Sequence, residues 1–110
     1  MPYVYRPRGA PARYFEGAPD VVKAGVLVIH GPFKDSVCEY DVLLKGESGP
    51  DEIVGLDFGA HGSCGCHFFL KPHDARGYRE RNRRKRVKWA DLPEPTRKAV
   101  AAYLEWNPDA

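Results

Sequence analysis

The nonapeptide VCEYDVLLK, residues 37–45, alternates with a period of two: Cys38, Tyr40, Val42 and Leu44 fall on one side, and Val37, Glu39, Asp41 and Leu43 on the other. Successive side chains of a strand point to opposite faces, so this stretch predicts a β-strand whose first set of residues faces a core. Three further short runs bounded by turn residues read the same way. KAGVLVIH (23–30) ends at the turn-forming Gly31 and Pro32; DEIVGLDFG (51–59) follows Gly49 and Pro50 and directs Val54, Leu56 and Phe58 inward and Asp57 outward; CHFFLK (66–71) sets Cys66, Phe68 and Leu70 against His67 and Phe69. Four such runs in succession predict an antiparallel meander with one covered face.

The helix to cover that face is ADLPEPTRKAVAAYLEWNPDA. Asp91 stands where an N-cap belongs, with Glu94 three residues on as its capping-box partner; Pro95, which at the fourth helical position would lose a hydrogen bond, offers a second start for the regular helix. Leu92, Ala99, Val100, Tyr103 and Leu104 form an apolar stripe opposite Arg97, Lys98, Ala101 and Glu105, and Asn107 and Pro108 end it. Residues 1–20 carry Pro2, Pro7, Pro11 and Pro19 among Tyr3, Tyr5, Tyr14 and Phe15, without helical or strand period. They predict an extended arm lying across a sheet edge, because solvated tails are poor in aromatic residues. The expectation is an α+β fold in a single domain over residues 1–110, with the helical region at 91–107.

Composition narrows the function classes. With 43% hydrophobic and 29% charged residues the chain has a globular balance, and its longest aliphatic run, Val26 to Ile29, is too short to cross a bilayer. The N-terminal fifteen residues hold prolines and arginines where a secretory peptide needs an apolar stretch, so a cytoplasmic setting without membrane partners is expected. Three cysteines cannot all pair within the chain, which argues against a disulfide scaffold.

The net charge of +2 hides an uneven distribution. Residues 76–88 hold eight of the 17 Lys and Arg against one acid, Glu80, or +7; the remaining 97 residues carry nine bases and 14 acids, or −5. Charge asymmetry of this kind concerns partners more than fold. Arg76, Arg79, Arg81, Arg83, Arg84, Lys85, Arg86 and Lys88 form a basic belt suited to phosphate oxygens, which the guanidinium fork binds in pairs. Tyr78 and Trp89 flank the belt as candidates for stacking on exposed bases. Non-catalytic binding of nucleic acid, DNA or RNA, is the preferred reading. The alternative is an adaptor or inhibitor that occupies an acidic surface of a protein partner.

One chemical cluster stands apart. GAHGSCGCHFF, residues 59–69, packs His61, Cys64, Cys66 and His67 among three glycines. A structural zinc takes four N or S ligands, and His61, Cys64 and Cys66 with the more distant Cys38 make a candidate set, with His30, His67 and His73 as alternates. If the fourth strand is regular, neighbouring Cys66 and His67 face opposite ways and cannot both ligate. The competing reading is a glycine hairpin with Cys38 and Cys66 as small buried hydrophobes. A redox pair is disfavoured because thiols two residues apart close a strained ring. Asp57, His61, His67, His73 and Asp74 are also ligand types of metal-dependent nucleases and hydrolases, but their spacing is not diagnostic.

Overall fold

The computed structural model describes residues 9–34, 38–45, 53–62 and 65–105, with the backbone alone at 53, 69, 72 and 73. Four strands, β1 (Val26–His30), β2 (Tyr40–Lys45), β3 (Ile53–Phe58) and β4 (Gly65–Leu70), pair in sequence order as an antiparallel sheet. Among the described residues three α-helices accompany it: α1 (Asp20–Gly25), α2 (Pro72–Arg81) and α3 (Glu94–Glu105). The α+β class expected from the alternating runs is the observed one.

On one face, the cross-strand row Ile29, Val42 and Leu56 and the pair Tyr40 and Phe58 pack with Val22 of α1 and Val100 of α3. Leu92, Ala99, Tyr103 and Leu104 join them, as the predicted stripe requires. Phe15 and Trp89, each from a short 3-10 turn (Ala12–Phe15 and Trp89–Asp91), complete this layer. Burial of these apolar side chains is the main force holding α3 on the sheet, at about 1.5–3 kcal/mol for each fully buried one.

The other face is covered too, which corrects the expectation of a single covered face. Leu27, Val28 and Leu43 lie buried with Ala75 of α2, and Phe68, Leu70 and Tyr78 pack around them. A strand buried on both sides loses its alternation, and β1 is buried at all five positions. Gly55, paired with Phe68 across the sheet, makes room for that ring: any side chain at 55 would run into it.

Two boundaries differ from expectation. Residues 23–25 belong to α1 rather than the first strand, because Pro19 starts a helix by accepting from the amides of Val22 and Lys23 at 3.0 and 3.1 Å. The regular helix near the C-terminus begins at Glu94, and Asp91 lies in the preceding 3-10 turn. The first part of the basic segment is helical, through Arg81. The expected stop at Asn107 and Pro108, and residues 1–8 of the arm, lie outside the described residues. Where the arm is described, the Ala10 amide donates to the Leu27 carbonyl of β1 at 2.6 Å.

Candidate nucleic-acid interface

The basic belt begins on α2. Pro72 opens the helix, Ala75 is buried against the sheet, and Tyr78 stands one turn on, facing the same way. Arg76 and Arg81 are exposed and Arg79 is half-buried; the Arg76 guanidinium lies 3.6 Å from Glu80 one turn away. Asn82 ends the helix, its amide and its side-chain Nδ2 both donating to the Tyr78 carbonyl at 3.1 and 2.9 Å. The chain then makes a 3-10 turn, Arg83–Lys85, and runs along the outer edge of β1.

That edge holds the belt. The Gly31 amide donates to the Lys85 carbonyl at 2.8 Å, the Val87 amide donates to the Ile29 carbonyl at 3.0 Å, and Arg86 bridges to His30. With Ala10 on Leu27, these bonds occupy backbone groups that an edge strand would otherwise offer to another chain. Arg83, Arg84, Lys85, Arg86 and Lys88 are all exposed. Among the described residues no carboxylate pairs with any of these five. Their neighbours are neutral groups: Lys85 Nζ reaches the Pro32 carbonyl at 3.4 Å, and the Arg86 guanidinium lies 5.5 Å from the centre of the Tyr14 ring, which Arg13 approaches at the same distance.

The two stacking candidates are placed otherwise than expected. Trp89 is 5% exposed, its indole turned into the core beside Leu92, so it has no face for a base. Tyr78 is half-buried between α2 and the sheet, edge-on to His30 at 5.4 Å, and its hydroxyl donates to Asp41. Apolar area and a buried hydroxyl both find better partners inside than in solvent.

Beneath Tyr78 lies a feature that sequence reasoning misses. Strand register sets His30, Asp41, Asp57 and Cys66 directly opposite one another in a single row across all four strands, on the α2 face. Asp41 and Asp57 are hydrogen-bonded to each other, and they open into a cleft of about 650 Å³ walled by Phe33, Phe68, Leu70 and Tyr78, with Lys34 beside it. Burial, the hydrogen bond and the Asp41 charge, in that order, push the Asp57 carboxyl up to about 7. Below about pH 7 the pair therefore shares a proton, since two facing carboxylates cannot both ionise cheaply. Burial, then the bond to Asp41, raises the Tyr78 phenol, while burial, followed by the nearby Arg79, brings the His30 imidazole down to about 4. The sequence signal for this row is the outward position of Asp41 and Asp57 on adjacent strands. An outward Asp ordinarily means solvent, and the covering helix is what gives this pair a different setting.

Of the glycine-rich stretch, residues 59–62 dock on α3 and residues from Gly65 on belong to β4. Thr96 Oγ1 donates to the buried Gly59 carbonyl at 2.9 Å, and the Gly62 amide returns to the same carbonyl at 2.9 Å. Gly62 has φ of 69° and sits so close to the Pro95 carbonyl that a side chain there would collide with it.

Cys66 and His67 do face opposite ways. Cys66 lies in the Asp57 row and is exposed, which corrects its expected burial as a small hydrophobe; His67 lies towards α3, 2.9 Å from the Tyr103 hydroxyl. Cys38 is buried just before β2, His30 is buried beneath α2, and His61 is exposed in the turn. Cys64 and the side chain of His73 lie outside the described residues. Among the described residues no three His, Cys, Asp or Glu side chains assemble as metal ligands, and no helix is long and apolar enough to cross a membrane.

Comparison of the chain with family models, curated proteins and solved structures found no match in any of the three. The functional reading therefore stands on the geometry alone.

Proposed function

We propose that the chain is a non-catalytic nucleic-acid-binding protein that grips the phosphate backbone through Arg81, Arg83, Arg84, Lys85, Arg86 and Lys88. One observation carries this reading: the densest part of the belt is exposed yet pinned to an edge strand on both sides of Arg86, so its charges are pre-positioned. Ordering a long cationic side chain on binding costs free energy, and a fixed backbone lowers that cost. The inward turn of Trp89 and Tyr78 removes the bases from the proposed interface and leaves the phosphates, so binding is expected to tolerate any sequence.

Fluorescence anisotropy with labelled duplex DNA, single-stranded DNA and single-stranded RNA, each titrated over a range of salt, tests the proposal. The triple variant Arg83→Ala, Arg84→Ala, Arg86→Ala is expected to lose most of the affinity at low salt. The slope of log K against log salt should shrink by roughly one for each phosphate no longer gripped. Unchanged affinity in the triple variant would overturn the proposal, and an acidic polypeptide that binds while all three nucleic acids fail would favour an acidic protein surface instead.

A further inference from the structure

Tyr78 joins the belt to the carboxyl row. Its hydroxyl donates to Asp41, while its carbonyl receives both Asn82 donors that end α2 and launch the Arg83–Lys85 turn. The same phenol is edge-on to His30, the residue that bridges to Arg86. One side chain thus touches the carboxyl pair while its backbone fixes the place where the belt leaves α2. α1 and α3 pack on the opposite face, away from the pair.

We propose that the Asp41–Asp57 pair is a proton-operated switch on the basic belt: the belt holds a nucleic-acid backbone while the two carboxyls share a proton, and its grip weakens when that proton leaves. The inference rests on the belt being the binding surface.

The physical chain is short. With one proton between them the carboxyls carry a single negative charge, and Tyr78 and Asp57 both donate to Asp41. When the proton passes to solvent, two carboxylates face each other across β2 and β3. Like charges directly opposite in a sheet repel, and repulsion is relieved by drawing in the nearest cations. The charged and titratable groups around the pair are Tyr78, Arg79 and Arg81 from α2, His30 from β1, Cys66 from β4 and Lys34 from the following loop. Two of the three cations among these, Arg79 and Arg81, are belt residues. Arg81 is one of the residues proposed to grip phosphate, so its guanidinium recruited to the pair is one withdrawn from phosphate, and the face beneath the belt has gained a negative charge. By linkage, a bound polyanion must hold the proton on the pair more tightly.

Affinity for a short labelled DNA duplex, measured by anisotropy at fixed low salt, is expected to fall about 3–10-fold between about pH 6 and about pH 8, the change that follows when one cation lets go of its phosphate. Asp57→Asn, neutral at every pH, should hold the acid-side affinity across that window. Asp41→Asn removes the pair instead: burial still raises Asp57, but no second carboxylate faces it at any pH, so the fall across the window should be smaller than in the wild type. The histidines are common to all three proteins, so their titration cancels in the comparison.

Circular dichroism at each pH confirms that the variants are folded, and either variant alone suffices. A wild-type affinity that is flat over the window, or an equal fall in a folded Asp57→Asn or Asp41→Asn protein, overturns the switch while leaving the belt as the binding surface. Absence of duplex binding by the wild type at both pH values overturns the belt reading and the switch together.

Discussion

The two faces of the sheet are built from the same four strands and hold different kinds of side chain. Towards α1 and α3, Ile29, Val42, Leu56 and Phe58 are buried and apolar, and the helices bring Val22, Leu92 and Val100 to meet them. Towards α2, one row is apolar (Val28, Leu43, Gly55, Phe68) and the next is entirely titratable (His30, Asp41, Asp57, Cys66). The helices differ to match. α3 offers a full stripe, whereas α2 offers Ala75 and Tyr78 among Pro72, His73, Gly77 and five charged residues. A helix so poor in apolar residues is held by tertiary contacts more than by propensity, and here a polar anchor, Tyr78 on Asp41, supplements the packing. One face secures the fold; the other trades burial for charge and for a link to the belt.

The largest expected effect separates the two layers by truncation. Leu56→Ala, at the centre of the α3 face and fully buried, is expected to cost about 2–5 kcal/mol in chemical denaturation. Phe68→Ala, half-exposed on the α2 face, should cost only about 1–2 kcal/mol despite the larger side chain, because less of its area leaves water. Equal losses would make the α2 layer a second full core and erase the distinction.

A middle-sized effect concerns the buried polar group on each side. Thr96, fully buried on the α3 side, satisfies its hydroxyl on the Gly59 carbonyl. His30, equally buried on the α2 side, leaves Nδ1 without a hydrogen-bond partner among the described residues. Thr96→Val keeps the shape and orphans the Gly59 carbonyl, so a loss of about 1–2 kcal/mol is expected. His30→Phe keeps a ring against Tyr78 and removes an unsatisfied nitrogen, so near pH 7 it should be close to neutral. A large loss from His30→Phe at that pH would mean that the imidazole has a partner and that the α2 layer is as well satisfied as the other.

The same contrast explains how much of the molecule is legible in its sequence. The α3 face is legible because its signals are periodic: Cys38, Tyr40, Val42 and Leu44 alternate, and the stripe from Leu92 to Leu104 repeats at helical spacing. The α2 layer is not, because Pro72, Gly77 and a run of arginines carry no apolar period, and the helix forms by docking. Two clues to it are present all the same. Val26 to Ile29 do not alternate, and Leu43 sits beside Leu44, both marks of strands buried on two sides. The belt itself is visible as charge. Its neighbours Tyr78 and Trp89 suggest exposed aromatics, since sequence shows the ring but not which way the backbone turns it. The carboxyl row needs register, which composition and period do not supply: Asp41 and Asp57 stand sixteen positions apart and meet only when β2 pairs with β3.

The smallest expected effect is a flat line, and it exposes how the α2 face balances its protons. Burial holds His30 neutral, its pKa lowered from the ordinary 6.5 to about 4, so it contributes stability that is present above about pH 6.5 and lost as the pH falls towards 4, where only the unfolded chain takes up the proton. Asp57 works in the opposite sense. Its carboxyl is raised from 3.8 to about 7, so its contribution is complete below about pH 3.8 and is lost as the pH rises through about 7. Between about pH 4 and about pH 6.5 the folded chain carries one proton on Asp57 and the unfolded chain one on His30. The proton counts match, and the two slopes cancel. Denaturation midpoints for the wild type should therefore show no net trend from this row over that interval. Asp57→Asn removes one side of the balance, and relative to wild type its stability should fall as the solution is acidified. His30→Phe removes the other, and relative to wild type its stability should rise. Two variants that track the wild type in parallel would mean that the row does not hold its protons as a unit, and the difference between the faces would then be one of packing alone.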